Sequence, residues 1–136
     1  MCGIDLIKID RFNSLINNNR FMNDNFNIDE IKYINNNIET LAGIFSAKEA
    51  LLKALKKGIN NYSLKDIEVI HDNNKAPSFI FHNELDYLNS SNISVSISHD
   101  GEYAISVVLI TNWVFFIFFI CSIPWFIITI ISMISY

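Results

Sequence analysis

The chain has little cysteine, proline or glycine, since its 136 residues include only two cysteines, two prolines and four glycines. Cys2 and Cys121 lie far apart in the sequence, which excludes a disulfide framework and leaves no Cys/His spacing for zinc. The first residues do not resemble a signal peptide, because Asp5 and Lys8 interrupt the apolar run, so we expect a cytoplasmic protein. The net charge of −4 argues against a nucleic-acid partner.

Charge is missing altogether from the C-terminal quarter of the chain. Residues 103–136 contain no charged side chain, and residues 113–136 are dominated by Phe and Ile. This run exceeds the roughly 20 apolar residues that cross a bilayer as a helix. Two interpretations stay open, a membrane segment that tethers the protein or a frameshift or read-through artefact in AT-rich sequence. We therefore predict one domain over residues 1–112 and an apolar tail over residues 113–136.

Residues 45–55 predict the central helix of this domain, because Ala, Leu, Lys and Glu are strong helix formers. Gly58 is expected to end the helix in a left-handed conformation. Glu49 shares one helix face with apolar residues four positions before and three positions after it, so its carboxylate should pack against the domain. A buried carboxylate needs a cation, hydrogen bonds or a metal ion. The alternative is a surface pair between Glu49 and Lys53.

Strands are predicted on both sides of this helix. Gly3–Ile9 has the composition of a first strand, and Asp5 lies within it where strands mostly hold neutral groups. Alternating apolar residues and turn residues predict further strands over residues 67–71, 78–81, 93–99 and 103–109. Shorter helices are predicted over residues 11–17, 28–33 and 83–88, with a polar loop after Phe21. His71 and His82 are predicted to be surface histidines rather than ligands. The whole predicts an α+β domain with a mixed, mainly antiparallel sheet.

Three separated motifs carry the chemistry: Gly3-Ile4-Asp5, Phe45-Ser46-Ala47-Lys48-Glu49-Ala50 and Val95-Ser96-Ile97-Ser98-His99. In this order they resemble the motifs of the holo-acyl-carrier-protein synthases, the small 4′-phosphopantetheinyl transferases. The resemblance covers residues 3–109. It is supported by further matches at Lys53, Arg11, Arg20-Phe21 and Lys75-Ala76-Pro77.

The resemblance implies transfer of 4′-phosphopantetheine from coenzyme A to a serine of apo-acyl carrier protein, for fatty acid synthesis. It implies a Mg²⁺ ion held by Asp5 and Glu49. The implied catalytic residues are Lys53, His99 and Asp100. The implied coenzyme A contacts are Lys48, Lys53, Gly58, Ser98 and His99. The implied docking residues for the carrier protein are Arg11, Arg20 and Phe21. The family also implies a homotrimer with its active site between subunits. The base that deprotonates the carrier serine stays open between His99, Asp100 and a metal-bound water.

Three positions depart from the family pattern. Ile44 stands where the family has an arginine, Lys56-Lys57-Gly58 replaces a Gly-Thr-Gly, and Asp24 stands where a further arginine is common. We expect these changes to weaken coenzyme A affinity and carrier docking more than metal binding. The alternative function is therefore a catalytically degenerate, membrane-tethered interaction protein on the same fold.

Overall fold

A computed structural model describes residues 1–58 and 62–111 of the chain. The predicted loop at residues 60–61 and the predicted tail at residues 113–136 lie outside these residues. Within the described residues, no helix is both long and apolar enough to span a membrane.

The described strands form two antiparallel sheets. A three-stranded sheet has the order β1-β5-β4, built from β1 (Cys2–Lys8), β4 (Asn92–Asp100) and β5 (Tyr103–Thr111). A separate hairpin consists of β2 (Ile67–His71) and β3 (Pro77–Phe81). The predicted α+β class is confirmed. The strand pairs described here are all antiparallel rather than mixed. Short turns account for this in two of the three pairs, β2–β3 and β4–β5.

Capping asparagines decide where the helices begin. The helices are α1 (Asn19–Asn25), α2 (Ile28–Ile34) and α3 (Ile38–Ala54). The Asn18 side chain accepts a hydrogen bond from the Phe21 N–H at 3.1 Å, and Asn37 does the same for Thr40 at 3.0 Å. The prediction of a polar loop after Phe21 was therefore wrong. The predicted helix over residues 11–17 is also absent, since a 3₁₀ turn (Ile9–Phe12) and hydrogen-bonded turns over residues 13–17 replace it.

The C-terminus of α3 differs from the prediction for Gly58. The Lys57 N–H donates to the Leu52 carbonyl at 2.9 Å, and the Lys56 N–H donates to the Lys53 carbonyl at 3.0 Å. These two bonds form a Schellman motif, which needs a left-handed residue directly after the helix cap. Lys56 takes that conformation with φ of 56°, and Gly58 does not adopt a positive φ.

Helix α3 crosses the three-stranded sheet from β4 to β1. Near its start, a Cβ added to Gly43 would come within 2.9 Å of the Ile97 side chain on β4. Near its end, a Cβ on Gly3 of β1 would clash with the Ala50 carbonyl oxygen and reach 2.5 Å from the Ala54 nitrogen. Two clusters of buried apolar side chains are centred on α3, one on its first half and the other on its second half. The crossing places residues 49–53 above β1.

The opposite face of the sheet is apolar and open. Ile4, Leu6 and Leu109 point away from α3, with 55%, 62% and 48% of their surface exposed. Their neighbours on the edge strand β4 are the small polar residues Ser94, Ser96 and Ser98, as the strand register shows.

Candidate active site

Asp5 forms the base of the site. It lies on the α3-facing side of β1 and is 6% exposed. Its Oδ1 accepts a hydrogen bond from the Lys53 ammonium at 2.6 Å. Its Oδ2 is buried and has no hydrogen-bond partner among the described residues. An oxygen in this state costs about 1–3 kcal/mol unless a donor or a cation reaches it.

Glu49 lies one turn before Lys53 on α3 and is half-buried. Burial raises the pKa of Glu49 most, and the negative charge of Asp5 raises it further, whereas Lys53 and Arg11 oppose the shift. The two carboxylates are therefore within electrostatic reach of each other. Lys53 pairs with Asp5, and no cation of the described chain lies within ion-pair distance of Glu49. The predicted alternative, a Glu49–Lys53 pair, is not formed.

These two carboxylates suit a hard divalent cation. A cation between them would partner the buried Asp5 Oδ2 and relieve the repulsion that raises the pKa of Glu49. No set of three or more His, Cys, Asp or Glu side chains with metal-binding geometry occurs in residues 1–58 and 62–111. Asp5 and Glu49 could supply two ligands of a Mg²⁺ ion, which usually takes its other ligands from water and phosphate oxygens.

His99 lies in a different part of the molecule. It lines a cavity of about 180 Å³ between the first half of α3, the end of β4 and the β2–β3 hairpin. The basic residues on its wall are His99, His71 and Lys75, and Glu39 is the one acidic residue, with its Oε2 at 3.8 Å from His99 Nδ1. Ile44 lines the same cavity, where the family pattern has an arginine.

The cavity also contains an aromatic wall that the sequence did not indicate. The rings of Tyr33 and His71 stack with centroids 4.2 Å apart and planes 10° apart. Burial lowers the pKa of His71, which favours the neutral ring. The prediction that His71 is only a surface histidine was therefore incomplete, and no spacing in the sequence links it to Tyr33.

The carboxylate pair and His99 do not meet within one chain. Asp5 pairs with Ser106 of β5, and His99 pairs with Ala104 of the same strand from the other side. Strand β5 thus separates β1 from β4, which places the two backbones about 10 Å apart. The carboxylate pair therefore lies at the β1 edge of the sheet, and His99 lies at the β4 edge.

The other residues predicted to bind coenzyme A or to take part in catalysis, Ser98, Asp100 and Gly58, do not lie together in the structure. Ser98 and Asp100 alternate with His99 along β4, so they belong to the opposite face of the sheet from the cavity. Both residues are exposed. Gly58 is exposed beyond the end of α3, on the side of Lys53 rather than of His99.

The surroundings of Lys48 do not fit its predicted contact with coenzyme A. Its side chain is fully buried, and its ammonium donates to Glu30 Oε2 at 2.7 Å, to the Asn25 carbonyl at 2.9 Å and to the Leu64 carbonyl at 3.0 Å. All three of its protons are used, so Lys48 is not free to bind a phosphate. Burial lowers the pKa of Lys48, and the charge of Glu30 opposes this. The Asn-x-x-Glu spacing from Asn27 could have indicated Glu30 as a helix cap, but not as this partner.

The predicted docking residues occupy the segment between β1 and α2. Arg11 is exposed and close enough to lower the pKa of Glu49. Arg20 is 91% exposed, with its Nε at 3.6 Å from Asp24 Oδ2. Phe21 is partly buried and packs on Phe45 of α3 with centroids 6.0 Å apart. Arg11 thus lies within electrostatic reach of Glu49, whereas Arg20 is partly neutralised by Asp24.

Comparison with known proteins agrees with this architecture. A model of the 4′-phosphopantetheinyl transferase superfamily matches residues 1–108. The holo-acyl-carrier-protein synthase of Finegoldia magna is 41% identical over 112 residues, covering 78% of this chain and 91% of that protein. That of Borreliella burgdorferi is 39% identical over 120 residues, covering 81% of this chain and 97% of that protein. The crystal structure of the Helicobacter pylori holo-acyl-carrier-protein synthase in complex with coenzyme A matches with a TM-score of 0.75 at 34% identity. This match covers 82% of our chain and 100% of that one. The chain therefore belongs to the holo-acyl-carrier-protein synthases of the 4′-phosphopantetheinyl transferase superfamily.

Proposed function

We propose that the protein transfers 4′-phosphopantetheine from coenzyme A to a serine of apo-acyl carrier protein, with help from Mg²⁺, and so supplies holo-carrier for fatty acid synthesis. The observation that carries this proposal is the buried, unpartnered Oδ2 of Asp5 beside the raised pKa of Glu49. The similarity to a synthase solved in complex with coenzyme A supports the choice of donor.

The chain's own residues have separate parts in this reaction. A P–O bond forms to the serine oxygen while the bond between the transferred phosphoryl group and the nucleotide breaks. Asp5 and Glu49 would hold Mg²⁺, which neutralises phosphate charge. The half-exposed Lys53 ammonium faces the same space and would stabilise charge that develops on the departing nucleotide. The serine proton goes to His99, to Asp100 or to a bound water.

The phosphate-rich end of coenzyme A would occupy the cavity beside His99. Lys75 provides positive charge there, His99 provides ring nitrogens for hydrogen bonds, and the Tyr33–His71 wall offers a flat surface for a base. Ile44 contributes no charge to this cavity, so we expect weaker binding of coenzyme A than an arginine would allow.

We also propose that the active protein is a homotrimer. Its two half-sites lie at different sheet edges, so a second chain can bring its His99 to the carboxylate pair of the first. The open apolar face around Ile4, Leu6 and Leu109 is suited to burial between chains. Light scattering should give a trimer for the wild type. Leu6→Glu should give a folded, inactive monomer, and an active monomer would contradict this assembly.

Docking of the acidic carrier is assigned to Arg11, Arg20 and Phe21. Arg11 lies closest to the carboxylate pair, so Arg11→Glu should slow association with the carrier and reduce its dependence on salt. An unchanged salt slope would count against this surface.

Mass spectrometry tests the whole proposal. Apo-carrier incubated with coenzyme A, Mg²⁺ and the protein should gain the mass of one phosphopantetheinyl group, and Asp5→Ala should prevent this gain. The second candidate, an interaction protein without turnover, is favoured only by Ile44 in the cavity. It predicts that the carrier binds and that its mass does not change.

A further inference from the structure

Glu30 and Lys48 form a buried polar network that the proposed chemistry does not use. Glu30 is 1% exposed, and its Oε2 accepts from Lys48 and from the Asn27 N–H at 2.9 Å. Its Oε1 accepts from the Val69 N–H of β2 at 2.9 Å. Every proton of the Lys48 ammonium has an acceptor as well. The network is therefore complete, with no buried group of the pair left unsatisfied.

The network ties the α1–α2 segment, residues 19–34, to helix α3. The ammonium on α3 holds the carbonyl of Asn25, the last residue of α1, and the carboxylate of Glu30 on α2. The Asn25 side chain in turn donates to the Phe21 carbonyl at 2.8 Å. A continuous path of hydrogen bonds thus runs from Lys48 to Phe21, and Lys48 is adjacent to Glu49 in the sequence.

A buried ion pair is weak evidence for stability, because the desolvation of two charges offsets most of their attraction. A fully satisfied buried network does specify one arrangement of the segments it joins, since any shift leaves charged groups without partners. The aromatic contact between Phe21 and Phe45 links the same two segments, but ring packing tolerates small shifts that directed hydrogen bonds do not.

We propose that Glu30 and Lys48 are positioning residues that fix the α1–α2 segment, with its carrier-docking residues, at a set distance from Glu49. This inference rests on the proposed function. It places the carrier serine within reach of the carboxylate pair, and it has no part in binding coenzyme A or Mg²⁺.

The test replaces both charges at once. Glu30→Gln/Lys48→Met removes the pair with little change in volume and leaves no lone buried charge. The matched control is Asp29→Asn/Lys32→Met, which removes an exposed pair of 2.7 Å from the same helix α2. We expect kcat/KM for the carrier to fall roughly 10- to 100-fold in the first variant, as misplacement by about 1 Å can cause. The KM for coenzyme A and the Mg²⁺ dependence should match the wild type, and the control should be unaffected throughout.

Hydrogen exchange gives a readout that does not depend on activity. In the Glu30→Gln/Lys48→Met variant, the amides of residues 19–34 should exchange faster while those of α3 keep their protection. A merely structural pair would instead raise exchange in α3 and in α1–α2 alike. If the wild type transfers nothing, the proposed function fails, and the exchange pattern still decides the positioning role.

Glu30→Gln alone is the second variant, because it keeps an acceptor for the Val69 N–H. We expect a larger change in the same direction for carrier kinetics and for exchange, because Lys48 then keeps a buried charge without its partner. Wild-type carrier kinetics in a folded variant, or faster exchange spread evenly over the domain, would overturn the proposal. The proposal would also be overturned if the double variant did not fold while Glu30→Gln had the carrier kinetics and the hydrogen exchange of the wild type.

Discussion

Asp5→Asn offers the sharpest test of the carboxylate site, because stability and activity should respond in different ways. The substitution keeps the shape of the side chain and removes its charge. Loss of the bond to the half-exposed Lys53 costs about 1 kcal/mol or less. A neutral amide group costs less to bury at the position of the unpartnered Oδ2 than a charged oxygen does, and the repulsion with Glu49 is removed, which offsets a similar amount. The metal-free free energy of unfolding should therefore change by less than about 1 kcal/mol.

The response to Mg²⁺ should change far more than the stability. A ligand present at 100 times its Kd stabilises the fold by about 2.7 kcal/mol, and a 100-fold loss of affinity reduces this gain to about 0.4 kcal/mol. We expect Asp5→Asn to show that loss in denaturant unfolding with EDTA and with Mg²⁺. Transfer to the carrier should fall by about 10²–10³, as it does when a preorganised charge-stabilising group is removed.

The matched control for Asp5→Asn is Asp10→Asn, which removes an exposed carboxylate that pairs with Lys8 at 3.4 Å. This control should keep wild-type unfolding, Mg²⁺ response and transfer rate. The reasoning would be refuted if Asp5→Asn kept the full stabilisation by Mg²⁺. It would also be refuted if the metal-free variant lost more than about 2 kcal/mol, since Asp5 would then be mainly a structural residue.

Three further predictions concern α3 and the residues around it. Gly3→Ala should lower stability by about 3 kcal/mol in denaturant unfolding, because its Cβ would clash with the backbone of Ala50; a variant as stable as wild type would contradict the close packing of β1 on α3. Lys56→Gly should raise stability by about 0.5–1 kcal/mol, since glycine adopts a φ of 56° without strain, and calorimetry should show a higher Tm. The raised pKa of Glu49 means that the folded carboxyl keeps its proton where the unfolded chain has released it, so metal-free stability should fall as pH rises from 4.5 through the folded pKa. Glu49→Gln should remove this part of the pH dependence, and an unchanged unfolding profile would refute the shift.

The sequence predicted elements whose signal is local. Strict alternation over residues 93–99 placed Ile93, Val95 and Ile97 on the core side, and these residues do pack against the buried clusters. The Asp100-Gly101 pair predicted the turn, where Gly101 has a φ of 56°. Helix α1 has no comparable signal, because only Met22 of its seven residues is buried and its start depends on one hydrogen bond that the Asn18 side chain accepts from the Phe21 N–H.

The partners of the charged residues on α3 could not be predicted from helix spacing. The i,i+4 rule pairs Glu49 with Lys53, but Lys53 bonds to Asp5, which is 48 residues away in the sequence. Lys48 and Glu49 are neighbours, and the helix turns by about 100° between them. One side chain therefore points into the buried network and the other toward β1. Only the tertiary packing determines which of the two is available to a ligand.

The separation of His99 from Asp5 limits what any motion within one chain can achieve. Strand β5 is paired along its length with β1 on one side and β4 on the other. His99 could approach Asp5 in the same chain only if β5 left one of these neighbours, which would break its backbone hydrogen bonds and expose Ala104 and Val108 of the core. The free energy needed for such a rearrangement is far larger than the free energy that substrate binding supplies. Contact between chains needs no such rearrangement, and it would bury Ile4 and Leu6, which a monomer leaves in water. The divided site and the open apolar face thus have one common explanation in the proposed trimer.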